Sequence, residues 1–143
     1  MDKRKMIRDH HHMDGRLMVI DDNPGDLYLV KAALEEENDD VVVDLRTDAR
    51  QALDELLQAQ PTALPRAILI DLNMPRLHGH DFLLALQRND ALRHLPVLVM
   101  TSSRMDRDHE RSLALGARDH VVKGMGIDAV RSCVRSLRRY WSA

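Results

Sequence analysis

Between residues 16 and 141 short apolar runs alternate strictly with amphipathic stretches, and this alternation constrains the fold more than any other feature. The runs are Leu17-Met18-Val19-Ile20, Val41-Val42-Val43-Asp44-Leu45, Ala67-Ile68-Leu69-Ile70, Val97-Leu98-Val99-Met100 and His120-Val121-Val122. Their length and β-branched content predict strands. The stretches between them predict helices. Asn23 suits an N-cap and Pro24 a first helical turn, ahead of Leu27, Val30, Ala33 and Leu34 at helical spacing to about Glu37. Asp48 caps a second helix with Ala49, Leu53, Leu56 and Leu57 on one face. Phe82, Leu83, Leu86 and Leu92 mark a third, from about His80 to Asn89. A polar helix from about Asp106 to Leu115 stops at Gly116, and a last one carries Ile127, Val130, Val134, Leu137 and Trp141 on one stripe.

Strands apolar on both faces need covering on both sides, so these βα units predict a parallel sheet between helical layers. Right-handed crossovers make this a doubly wound α/β domain of five strands, with 2-1-3-4-5 a common strand order. A chain of 143 residues suits one such domain, taken here as residues 16–143. The polar segment 1–15, with its His10-His11-His12 triplet, is expected to be a disordered or expression-derived tail. A net charge of −2 carries no basic field and argues against nonspecific nucleic-acid binding. The single cysteine, Cys133, fits a reducing compartment and packs beside the last apolar stripe. No apolar run is long enough to span a bilayer and no signal segment is evident, so a cytoplasmic protein is expected.

Ligands of an open parallel sheet bind beyond the carboxyl ends of its strands. There the first strand delivers Asp21 and Asp22, the third Asp71, the fourth Thr101 and Ser102, and the fifth Lys123. Each has an ordinary reading alone: a capping pair, a strand-end turn residue, a capping hydroxyl, a surface lysine. Together they put three carboxylates at the switch in strand order, where like charges need a counter-charge. Lys123 supplies one, and the remaining excess suggests Mg2+, or Mn2+, held by oxygen ligands. Such a set suits phosphoryl transfer onto a carboxylate. Asp71 would be the in-line nucleophile, with Thr101 donating a hydrogen bond and the metal and Lys123 neutralising phosphoryl oxygens.

At these residues the sequence resembles the receiver domain of two-component response regulators, which has a flavodoxin-like fold. The matching segments are VIDDN (Val19 to Asn23), ILIDLNMPRLHG (Ile68 to Gly79), VLVMTSS (Val97 to Ser103) and GARDHVVK (Gly116 to Lys123). The resemblance implies that Asp71 is the phosphoacceptor for a sensor histidine kinase. It implies that Asp22 ligates the metal directly with Asp71 and the Asn73 backbone carbonyl, and that Asp21 acts largely through water. It makes Lys123 the partner of the phosphoryl group and pairs Thr101 with residue 120 as the switch. Such a protein catalyses only its own phosphorylation and dephosphorylation, and is not otherwise an enzyme. The segments RNDALRHLPV (Arg88 to Val97) and RRYW (Arg138 to Trp141) are similar to stand-alone regulators that partner phytochrome-type histidine kinases.

Three positions depart from the family pattern: Gly124 in place of proline after the lysine, His120 in place of Tyr or Phe, and His78 in place of an aspartate. A non-proline cis bond costs about 2.5–4 kcal/mol, so a trans Lys123–Gly124 peptide or a reshaped loop is expected. His120 is expected either to move with Thr101 and titrate, or to be a plain surface histidine. With no output domain in sight, signalling is expected through protein contact or a homodimer on the last helix and fifth strand. Arg131, Arg135 and Arg138 there could meet acidic residues of a second copy, or could form a solvated face. A haloacid-dehalogenase-type phosphatase would need an aspartate where Asn73 stands, and a nucleotide-binding module a phosphate loop where Asp21-Asp22 stands. A degenerate receiver that binds partners without phosphorylation is the main rival reading.

Overall fold

The computed structural model describes residues 15–37 and 41–141, so the expected tail lies, apart from Gly15, outside the described residues. The elements follow the expected alternation. They are β1 (Arg16–Ile20), α1 (Pro24–Glu37), β2 (Val42–Arg46), α2 (Ala49–Gln58), β3 (Ala67–Ile70), α3 (Gly79–Gln87), β4 (Val97–Thr101), α4 (Asp106–Ala114), β5 (Asp119–Val122) and α5 (Gly126–Leu137). All strand pairs are parallel and the order is β2-β1-β3-β4-β5. The register aligns Ile20 with Ile70 and Ile70 with Val99, so β1 and β3 finish together and β4 runs two residues further, to Thr101.

The sheet divides the apolar residues into two cores because successive side chains of a strand point to opposite faces. Met18, Ile20, Ile68, Ile70, Val97 and Val99 pack with α2 and α3. Leu17, Val19, Ala67, Leu69, Leu98 and Met100 pack with α1 and α5. β3, like β4, is buried along its whole length, so its end is firmly held. The expected caps are present: Asn23 Oδ1 accepts from the Gly25 and Asp26 N–H groups, and Asp48 Oδ1 from those of Arg50 and Gln51.

Several boundaries differ from expectation for packing reasons. α3 ends at Gln87, so Leu92 is buried from the turn after the helix rather than from the helix itself. α2 buries Ala49, Ala52, Leu53 and Leu56, while Leu57, placed on that face by spacing, is 50% exposed. Ala52 centres the stripe and leaves Leu57 at its rim. α5 stops at Leu137 and tightens into a 3-10 turn over Arg138–Tyr140, which still buries Trp141. On α4 the one buried residue is Ser112. Among the described residues, no helix is long and apolar enough to cross a membrane.

Candidate functional site

The backbone at each strand end is locked before any side chain acts. The Asp21 N–H donates to the Arg46 carbonyl at 3.0 Å, that of Asp71 to Ile20 at 3.1 Å, and that of Lys123 to Thr101 at 2.7 Å. The ladder thus carries the candidate residues beyond the strands without loosening them. Carboxylate oxygens of Asp21, Asp22 and Asp71 lie within 4.8 Å of one another, as the sequence reading expected. Asp22 is exposed, whereas the side chains of Asp21 and Asp71 are only 7% and 11% exposed. One oxygen of each buried carboxylate is already bonded: Asp21 Oδ1 accepts from the Asn23 N–H at 3.0 Å and Asp71 Oδ1 from the Leu72 N–H at 2.7 Å.

Lys123 reaches this cluster from β5. Its Nζ donates to Asp21 Oδ2 at 2.8 Å and to Asp26 Oδ2 at 3.0 Å, and stands 3.6 Å from Asp71 Oδ2. Burial works to lower the pKa of the ammonium, but the bond to Asp21 and the charges of Asp71 and Asp21 outweigh it and raise it. Burial pushes the Asp21 carboxyl up, against the bond from Lys123 and the Asn23 N–H. Asp26 was not foreseen. It lies three residues past the Asn23 cap, one turn into α1, and a sequence scan reads it as a first-turn acid favourable to the helix dipole.

The loop after Asp71 folds back tightly. The Gly79 N–H donates to the Leu72 carbonyl at 2.8 Å, and a Cβ on Gly79 would stand 2.7 Å from the Asp71 carbonyl oxygen, so only glycine fits. Arg76 adopts a left-handed φ of 70° and its guanidinium pairs with Asp48, tying the loop to the α2 cap. Asn73 is exposed on this loop. His78, expected as a turn variation, caps α3: its Nδ1 accepts from the His80 N–H at 3.0 Å.

Thr101 is fully buried, and its hydroxyl accepts from the Ser103 N–H at 3.3 Å. His120 is 5% exposed, which excludes the plain surface histidine. Its Nδ1 lies 2.9 Å from Ser112 Oγ, which lies 3.0 Å from His80 Nε2, a chain linking β5, α4 and α3. Ser112 has a single O–H to give, so at least one imidazole must donate its own N–H to the hydroxyl. Burial lowers the pKa of both imidazoles, helped by His109 beside His120 and by His78 beside His80, while Asp108 opposes the shift at each. Neither His80 nor Ser112 was singled out by sequence.

The Lys123–Gly124 peptide is trans, as expected. A Cβ on Gly124 would stand 2.6 Å from the Ala129 Cβ, so the loop passes α5 too closely for a side chain. Of the arginines expected to face a partner, Arg131 pairs with Glu36 and Asp128, and Arg135 with Glu37, so α5 is tied to α1 within the chain. Cys133 is partly buried near the Val122 carbonyl and burial raises its thiol pKa, which fits packing.

Residues 17–135 match the family described as response regulator receiver domain. The chain belongs to that family. It is 28% identical over 127 residues to a probable methanogenesis regulatory protein, FilR2, of Methanothrix harundinacea, covering 87% of this chain and 82% of that protein. It is 25% identical to response regulator Rcp1 of Synechocystis, covering 87% of both. A third relative, Rre1 of Synechocystis, is 31% identical, and the chain spans 50% of its length. The Mn2+-bound form of Rcp1 superposes with a TM-score of 0.79 at 25% identity, over 89% of this chain and 94% of Rcp1. The phosphorylated cyanobacterial phytochrome response regulator RcpA superposes with a TM-score of 0.80 at 25% identity, over 89% of this chain and 93% of RcpA. The receiver domain is a two-component signalling module, and receivers bind Mg2+ or Mn2+ at an acidic aspartate cluster of the kind described here.

Proposed function

We propose that this receiver, residues 16–143, accepts a phosphoryl group on Asp71 from the phosphohistidine of a sensor histidine kinase. The supporting observation is the state of the Asp71 carboxylate. One oxygen is fixed by the Leu72 N–H, and the other faces Lys123 within the Asp21–Asp22–Asp71 cluster. An O–P bond forms at Asp71 as the N–P bond of the donor breaks, and the imidazole leaves with the bonding pair. Mg2+, or Mn2+, held by Asp22, Asp71 and the Asn73 carbonyl, with Asp21 through water, would supply positive charge for the phosphoryl oxygens. Lys123 supplies the remaining positive charge and the Thr101 hydroxyl donates a hydrogen bond.

Output is by contact with another protein or by self-association on the α5 and β5 face, with Thr101 and His120 linking it to the site. The likeness to Rcp1 and RcpA supports a phytochrome-type kinase as the upstream partner. A phosphorylation-independent receiver is favoured by one observation, the bonding of His120 into the Ser112–His80 chain, which holds the switch position inward. Incubation with phosphoramidate and Mg2+, read by intact mass, decides between them. The acyl phosphate is expected on the wild type, absent without Mg2+ and absent on Asp71→Asn. An unmodified wild type, or equal modification of Asp71→Asn, overturns the proposal.

A further inference from the structure

Three carboxylates surround the Lys123 ammonium, and the two that bond it are Asp21 and Asp26, at 2.8 and 3.0 Å. Asp21 belongs to the aspartate cluster and is shared with any cation held there, as is Asp71. Asp26 does not belong to it. It stands on the first turn of α1 with its side chain 39% exposed, and among the described residues its side chain bonds within the site to the lysine alone.

The backbone after Lys123 is packed closely, with Gly124 against Ala129, but that contact is made by the main chain and leaves the lysine side chain to other restraints. Gly124 follows directly, and Gly126, at a φ of 84°, opens α5 two residues later. Beside it lies a cavity of about 290 Å3, lined by Asp26, Ser102, Lys123, Gly124 and Met125 among others, into which a four-carbon side chain can swing. What holds Lys123 on the Asp71 side of that space is therefore its side-chain bonding. Once a cation draws on Asp21, the bond from α1 is the remaining one.

We propose that Asp26 is a positioning residue for Lys123: it holds the ammonium beside Asp71 when a cation draws on Asp21. The proposal rests on the phosphoacceptor reading only for its functional consequence. Asp26 touches neither the acceptor nor the metal cluster and acts through the lysine alone.

Two measurements on the full chain test it. In unphosphorylated protein saturated with Mg2+, the Lys123 ζ-ammonium cross-peak and the side-chain couplings that report its last rotamer are recorded for wild type, Asp26→Ala, Asp26→Asn and Asp26→Glu. The wild type is expected to give a protected cross-peak and one rotamer. Asp26→Ala and Asp26→Asn lose the cross-peak and average the couplings, and Asp26→Glu restores both. Phosphorylation by phosphoramidate with Mg2+ is then followed against donor concentration. The saturating rate constant is expected to fall roughly three- to tenfold in Asp26→Ala and Asp26→Asn, the range for losing one half-exposed charge-assisted bond. Asp26→Glu recovers most of it, and Mg2+ affinity stays within about twofold because Asp26 is outside the cluster. An ordered Lys123 in Asp26→Ala overturns the proposal. So does a disordered lysine with an unchanged rate constant. If the wild type takes no phosphoryl group, the phosphoacceptor reading fails by itself, and the resonance measurements still decide whether Asp26 orders the lysine.

Discussion

Lys123 with its carboxylates and the His80–Ser112–His120 chain are both polar clusters, yet they balance their burial by opposite means. Around Lys123 an ammonium faces Asp21, Asp26 and Asp71, and opposite charge offsets desolvation. Under α4, burial keeps two imidazoles toward their neutral forms, and one hydroxyl satisfies a nitrogen on each. The first arrangement is exchangeable. A divalent cation can take over part of the lysine's role, because both offer positive charge to the same oxygens. The second depends on geometry, because a neutral hydrogen bond has no substitute once its donor is lost. On the proposed reading the site responds to ions on one side and is held by shape on the other.

Removing the cation should produce the largest effect. Lys123→Met leaves Asp21 and Asp71 buried without a counter-charge and should cost about 3 kcal/mol in metal-free buffer. Saturating Mg2+ should recover a large part of that, measured by urea unfolding with and without the ion. Equal stability of the variant in both buffers would break the idea that the two cations are exchangeable. Ser112→Ala strands the two imidazoles together and should cost about 2 kcal/mol, with no recovery from Mg2+. A loss of only a few tenths would mean that water replaces the hydroxyl without penalty.

The loop that carries Lys123 into α5 can be tested by crowding. Gly124→Ala should cost about 1–2 kcal/mol because its Cβ meets that of Ala129. Adding Ala129→Gly should reverse part of the loss in a double-mutant cycle, after allowing for the helix propensity of the second change. The smallest effect is expected from pH. His80 and His120 are depressed in the fold, so between the unfolded value of 6.5 and their folded values the unfolded chain binds more protons. Their contribution is complete above about 6.5 and is lost as pH falls through the folded values. Urea midpoints at pH 7.5 and 5.5 should therefore separate more in the wild type than in His120→Phe. An unchanged separation would show that His120 is not held neutral by its surroundings.

Much of this was legible because strands and helices write different periods into a sequence. The runs ending at Ile20, Ile70 and Met100 set the sheet, and Asp21, Asp71 and Thr101 had to follow at its edge. Asn23 and Asp48 could be read as caps because capping needs only a neighbouring N–H group. Leu57 and Leu92 were misplaced for the converse reason. Spacing says which residues share a face, and the packing of whole elements decides how much of that face is covered. Asp26 and Ser112 carried no signal, since an acid in a first helical turn and a serine in a polar helix are ordinary by themselves.

By itself, then, the sequence determined the alternation of elements, the order in which charged residues meet the sheet edge and the identity of the candidate acceptor, because these follow from local period and from strand ends. Only the tertiary structure decided that Lys123 bonds to α1, that Gly124 lies against Ala129 and that His120 is joined to His80 through Ser112. Each of these is a contact between separate elements or a loop and the helix after it, and its existence depends on packing distances that no local pattern encodes.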